Sequence, residues 1–214
     1  MMTTTAGYKG IKNLLFDLGG VVISIEREQC VSRLKQLGMR DADDMIGLYA
    51  QTSAFGSLES GAIGPDEFHA EMRRHFSRPV TDAEIDGALN AFITGLPVQR
   101  LQALRQLRER YGVYVLSNTN PIMFNGRIAQ LFRAEGREMA DYFDGITTSF
   151  EAKACKPDKK IFDYAVATMG IKPEETMFFD DGQANVDAAR ALGFNAELVE
   201  AGTEFMQTIS QLKL

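Results

Sequence analysis

Two hydrophobic patterns alternate along the chain. Short, nearly continuous apolar runs at Ile11 to Phe16 (IKNLLF), Val113 to Leu116 (VYVL), Gly145 to Ser149, Thr176 to Phe179 (TMFF) and Asn195 to Val199 have strand length. Runs this short and this apolar suit strands covered on both faces. Apolar positions at helical spacing predict helices over 98–110, 121–132, 158–169, 184–192 and 204–212. Strand and helix alternate, so the expected fold is α/β, a Rossmann-like doubly wound parallel sheet.

The stretch from about Glu26 to about Leu96 breaks this rhythm, with helical periodicity over 27–37, 41–51, 65–76 and 81–94 and no strand expected between. It divides the chain into an expected core, residues 1–25 and 96–214, and an inserted helical cap domain, residues 26–95. Pro65 after Gly64 marks a helix start, and Thr81 with Glu84 three residues on fits a capping box. Ligands of open α/β sheets bind outside the carboxyl ends of the strands. An insert leaving just after the first strand is therefore expected over the site, as a lid.

Composition narrows the function classes. At 214 residues, 45% hydrophobic and 24% charged, the chain has the make-up of a globular protein with a sizeable core. A net charge of −6 without a Lys/Arg run argues against nucleic acid and membrane surfaces as partners. Two cysteines, Cys30 and Cys155, build no disulfide framework, and the opening MMTTTAGYKG has no basic, apolar signal pattern. A cytoplasmic location is expected.

Polar residues gather where the apolar runs stop. Asp17 ends the first run, Ser117 and Asn118 follow the second, and Asp180 and Asp181 follow TMFF. In a parallel sheet these positions meet at one edge, with Lys156 ahead of Pro157 a fourth candidate. Carboxylates brought together repel unless a cation joins them, and oxygen-only ligands favour Mg²⁺.

In this order, FDLGGVV at 16–22, LSNT at 116–119, KPD at 156–158 and FFDD at 178–181 resemble the four motifs of the haloacid dehalogenase superfamily of aspartate-nucleophile phosphatases. The insert between the first two motifs resembles the helical cap of its first subfamily, and the nearest likeness is to small bacterial sugar-phosphate phosphatases of the glucose-1-phosphatase kind. The resemblance implies that Asp17 attacks phosphorus to form an aspartyl-phosphate, which water hydrolyses. Ser117 and the Asn118 backbone N–H would hold phosphoryl oxygens, and Lys156 would neutralise charge. It also implies Mg²⁺ held by Asp17, the Gly19 carbonyl and Asp181, with Asp180 a ligand or the support of one. The expected substrate is a small phosphorylated metabolite, a sugar phosphate first.

Two positions depart from the family pattern. Gly19 stands where most members carry an aspartate that protonates the leaving group, and Asn185 stands where many carry aspartate. Without an acid at position 19, phosphates on acidic leaving groups, such as aldose 1-phosphates, are expected to react better than 6-phosphates. In the insert, FGSLESGAI at 55–63 resembles the loop such caps lower over substrate, with Glu59 the candidate contact. The rival readings are a metal-independent haloacid dehalogenase and a non-catalytic phosphate-binding relative. His69 and His75, six residues apart, do not face one metal from one helix. Cys155 beside Lys156 is a candidate for a lowered thiol pKa, and Asn120 for either lining the site or capping a helix.

Overall fold

The computed structural model describes Tyr8, residues 10–47 and residues 53–212. The elements, in chain order, begin with β1 (Asn13–Phe16) and β2 (Ser24–Ile25), then α1 (Arg27–Gln36), α2 (Ala42–Met45), α3 (Ala54–Glu59), α4 (Pro65–Met72), α5 (Asp82–Asn90) and β3 (Ile93–Gly95). They continue with α6 (Val98–Leu107), β4 (Gly112–Ser117), α7 (Pro121–Met123), α8 (Ala129–Phe132), β5 (Gly145–Thr148) and α9 (Ser149–Ala152). The last five are α10 (Lys159–Met169), β6 (Thr176–Asp180), α11 (Gln183–Ala191), β7 (Asn195–Leu198) and α12 (Phe205–Leu212). A π-helical turn over Phe124–Ile128 joins α7 to α8 within the helix expected at 121–132.

Five strands form one sheet in the order β5-β4-β1-β6-β7, with every neighbouring pair parallel. The pleat sends alternate residues to opposite faces. Leu14 and Phe16 of β1 join Met177 and Phe179 of β6 on one side, where Leu101 and Leu104 of α6 and Phe205 and Ile209 of α12 cover them. Leu15 and Phe178 point to the other side, against Ile161 and Phe162 of α10 and Val186 of α11. Rings lock both layers: Phe16 stacks on Phe179 at 5.0 Å between centroids, and Phe162 meets Phe178 edge-on at 5.8 Å. Burial on both faces is why Leu14–Phe16 of β1 and Met177–Phe179 of β6 are apolar without a break.

The insert is helical, with α1 packed on α5 and α3 on α4. Gly64 and Pro65 open α4 and the Thr81–Glu84 capping box opens α5, each as its sequence predicts. Three details differ from the sequence reading. The insert is flanked by a short antiparallel pair, β2 with β3, where no strand was expected and where the helix expected to reach residue 94 stops at Asn90. The stretch expected as a loop at 55–63 begins as α3, because Ser53 caps Gly56 N–H and Phe55 and Leu58 bury one face. The helix expected over 41–51 is helical at Ala42–Met45, and residues 48–51 lie outside the described residues.

Among the described residues no helix is long and apolar enough to cross a membrane. Cys30 and Cys155 are both unpaired thiols.

Candidate active site

All four sequence motifs arrive at the carboxyl edge of the sheet. After β1 the chain turns at once, with Val22 and Ile23 N–H both donating to the Leu18 carbonyl at 2.9 and 2.8 Å. This turn stands Asp17 on the sheet edge, where its Oδ1 accepts the Leu18 N–H at 2.7 Å and meets Lys156 Nζ at 3.0 Å. Both contacts fall on one oxygen, and Oδ2 accepts no hydrogen bond among the described residues.

Lys156 is buried and also reaches Asp180 Oδ2 at 2.6 Å. Asp180, the last residue of β6, has its other oxygen filled by Gly182 N–H at 2.8 Å and Asn185 Nδ2 at 2.9 Å. Asn185 is thus a neutral donor to Asp180. An aspartate there would have faced it with another carboxylate.

Asp181 is exposed to the cavity, and the carboxylates of Asp17, Asp180 and Asp181 lie within 4.8 Å of one another. Burial pushes the Asp17 carboxyl up to about 7, with Lys156 opposing and Asp180 and Asp181 adding to the rise. Asp181 is raised too, by burial first and then by Asp180. Burial alone would lower the Lys156 pKa, but its two carboxylate partners outweigh it and hold the ammonium charged. Three carboxylates against one ammonium leave negative charge in excess, in an all-oxygen set, and this fits a hard divalent cation such as Mg²⁺.

Gly20 is what lets Asp181 come this close. Its φ is +75°, and a Cβ there would fall 2.0 Å from Asp181 Oδ2. Gly20→Ala is expected to turn the Asp181 carboxylate away and weaken metal binding at least ~10-fold, the scale of a disturbed ligand environment. Titration of Mg²⁺ against activity measures it; an unchanged half-saturating concentration would remove Asp181 from the metal site.

The second motif serves two purposes. Ser117 and Asn118 line the cavity. The Asn118 side chain also pairs with the Lys156 backbone in both directions, donating to its carbonyl at 3.0 Å and accepting its N–H at 2.8 Å. Next to it Ser149 Oγ accepts the Thr119 N–H at 3.0 Å and donates to the Thr119 carbonyl at 2.9 Å. These clamps join chain segments 30 and 38 residues apart, so no local sequence pattern announces them.

The cavity over this edge holds about 160 Å³. Asp17, Gly19, Asp181, Ser117, Asn118 and Thr119 form its floor, while the insert and its flanks supply Ile25, Phe55, Glu59 and Phe92. Met123 and Ile128 close one side. The apolar wall residues Ile25, Phe55, Phe92, Met123 and Ile128 went unread as site residues in the sequence.

Other candidates fall away from the site. Asn120 is fully buried and caps α7 through the Met123 N–H at 3.0 Å, so capping explains it. The Cys155 thiol is pushed up to about 11, by burial first and Glu59 second, contrary to the lowered value suggested by its neighbour Lys156. His69 pairs with Asp86 and His75 with Asp41, on separate partners.

Comparison with known proteins places this arrangement. A 200-residue alignment gives 34% identity to D-ribitol-5-phosphate phosphatase from Bacteroides thetaiotaomicron, covering 94% of this chain and 97% of that one. A crystal structure of a haloacid dehalogenase family enzyme from the same organism, in complex with magnesium and inorganic phosphate, superposes with a TM-score of 0.88 at 36% identity, over 93% of this chain and 99% of that one. A predicted haloacid dehalogenase-like hydrolase from Porphyromonas gingivalis matches with a TM-score of 0.88 at 34% identity, over 95% of this chain and 98% of the other. An L-2-haloacid dehalogenase from Xanthobacter autotrophicus, at 17% identity and a TM-score of 0.59 over 88% of this chain and 77% of that one, shares the fold alone. The family model for haloacid dehalogenase-like hydrolases matches residues 11–193, a span that holds all four motifs and the insert between the first two, and the chain belongs to that family.

Proposed function

We propose that this hydrolase is a Mg²⁺-dependent phosphomonoesterase acting on a small phosphorylated metabolite, a sugar-alcohol or sugar phosphate, through an aspartyl-phosphate on Asp17. The observation that carries the reading is the set of Asp17, Asp180 and Asp181 around buried Lys156 on the cavity floor. The near-full-length kinship with a D-ribitol-5-phosphate phosphatase favours an alditol phosphate over the aldose 1-phosphate suggested by sequence resemblance.

Asp17, the Gly19 carbonyl and Asp181 would hold the Mg²⁺, with Asp180 completing the acidic set. When bound, the ion supplies positive charge that draws the phosphoryl group to Asp17 and offsets the carboxylates' mutual repulsion. Asp17 is the nucleophile: a carboxylate oxygen bonds to phosphorus as the ester oxygen leaves. Ser117 and the Asn118 backbone N–H receive the phosphoryl oxygens at the end of β4. Lys156 stays fixed between Asp17 and Asp180, a preorganised charge for the negative transition state. The insert, residues 26–95, acts as the cap that roofs the cavity and excludes bulk water. Its apolar walls and small volume select compact leaving groups.

Phosphate release measured over ribitol 5-phosphate, glucose 1-phosphate, glucose 6-phosphate and nucleotides tests this. Chelation should reduce turnover to background and Mg²⁺ should restore it. Full turnover after exhaustive metal removal, or halide release from a haloacid under those conditions, would overturn the reading in favour of a dehalogenase.

A further inference from the structure

We propose that Glu59, contributed by the helical insert, is the general acid that protonates the leaving oxygen, taking the place of the side chain that Gly19 lacks. This rests on the phosphatase reading above. An alditol 5-phosphate loses the oxygen of an ordinary alcohol, too basic to depart readily as an alkoxide, so a proton donor is needed where position 19 has none.

The floor of the cavity is spoken for. Asp17 and Asp181 belong to the metal and nucleophile set, and Lys156 is held between two carboxylates. Glu59 lines the same cavity from the insert, the one carboxyl that the insert contributes to its lining among the described residues. It makes no hydrogen bond or ion pair among the described residues, so its proton is not engaged elsewhere.

Its position is fixed by a contact between insert and core. Two residues on, Gly61 has a φ of +63° and rests against α9 so closely that a Cβ would fall 2.2 Å from the Phe150 carbonyl oxygen. Lys153 Nζ donates to the Gly61 carbonyl at 2.6 Å. The end of α3 is thereby seated on the core, with Glu59 in the lining of the cavity that also holds Asp17, Ser117 and Asn118. Burial, with the Asp17 charge adding and Lys156 opposing, pushes the Glu59 carboxyl up to about 7. Of the elements packed against α3, α4 carries Asp66, Glu67, His69 and Glu71 and α9 carries Glu151, with Lys153 and the Cys155 thiol just beyond α9; Asp17 and Lys156 are the two whose charge moves the Glu59 carboxyl. A carboxyl in that range holds its proton in a useful fraction of molecules at neutral pH and returns as a base.

The proton balance closes over two steps. An Asp17 oxygen bonds to phosphorus, the phosphorus–ester oxygen bond breaks, and the departing oxygen takes the Glu59 proton to leave as the alcohol. Water then attacks the phosphorus of the aspartyl-phosphate and gives its proton to the Glu59 carboxylate. The Asp17–phosphorus bond breaks, releasing phosphate and restoring both residues.

The test uses the isosteric variant Glu59→Gln with three phosphates: ribitol 5-phosphate, glucose 1-phosphate and 4-nitrophenyl phosphate, with Asp17→Asn as the background control. The ratio kcat/KM counts only steps up to alcohol release. For Glu59→Gln it should fall ~10²-fold or more on ribitol 5-phosphate, the usual scale of general acid catalysis, and no more than ~5-fold on the nitrophenyl ester, with glucose 1-phosphate between. The descending alkaline limb of the wild-type profile on ribitol 5-phosphate should vanish in the variant. An equal loss on all three esters, carried by KM, would make Glu59 a substrate contact and overturn the proposal, as would an unchanged rate. If the wild-type protein releases phosphate from none of them above the Asp17→Asn control, the phosphatase reading itself has failed.

Discussion

Asp17→Asn is expected to lower kcat by at least ~10⁴-fold on every phosphate ester, because an amide is no nucleophile and the variant forms no aspartyl-phosphate. Acid quenching during turnover of a labelled ester should trap label on the wild-type protein and none on the variant. The fold should survive. Asp17 is a buried carboxyl raised to about 7, chiefly by burial, so a neutral amide removes charge that the metal-free site holds unfavourably. Metal-free melting no lower than wild type, with activity gone, is the expected pair of results. Residual turnover above about one hundredth of wild type would place the nucleophile elsewhere.

Lys156→Ala should cost ~10²–10³-fold in kcat, the scale of losing one preorganised electrostatic stabiliser. Here the fold should suffer as well. Lys156 Nζ is the cation between Asp17 Oδ1 at 3.0 Å and Asp180 Oδ2 at 2.6 Å, all three buried. Removing the cation that two buried carboxylates share leaves their charge unpaired, at a typical cost of about 3–5 kcal/mol. Denaturation without metal should show that loss, and saturating Mg²⁺ should recover part of it, since a ligand bound only by the native state stabilises it. A variant with normal stability and near-normal kcat would mean that the third motif plays no part in the site.

The two halves of the molecule were unequally legible in the sequence. A strand buried on both faces is apolar along most of its length, so the LLF of β1 and the MFF of β6 announce the sheet, and the polar residue that ends each run marks its functional edge. Asp17, Ser117, Asp180 and Asp181 could be placed on that ground alone. The insert was harder. Phe55 and Leu58 are too few to reveal the single helical turn and a half of α3, and β2 and β3 are too short to show a period. Interactions between distant segments leave no trace in spacing, which is why the Asn118 and Ser149 clamps and the Lys153–Gly61 contact went unread. Cys155 shows the same limit in electrostatics. A neighbouring lysine suggested a reactive thiol, while burial, invisible in sequence, drives its pKa the other way.

Asn118 carries in one side chain the donor and the acceptor that a neighbouring strand would otherwise offer to the Lys156 peptide. Slow hydrolysis of that amide to a carboxylate, the chemical ageing to which asparagine is prone, would keep the acceptor and destroy the donor. An oxygen would then confront the Lys156 carbonyl, pressing on the loop that aims the lysine while the hydrophobic layers on either side of the sheet stay as they were. Wear at this one atom would register in an old preparation as fading turnover well before any fading of structure.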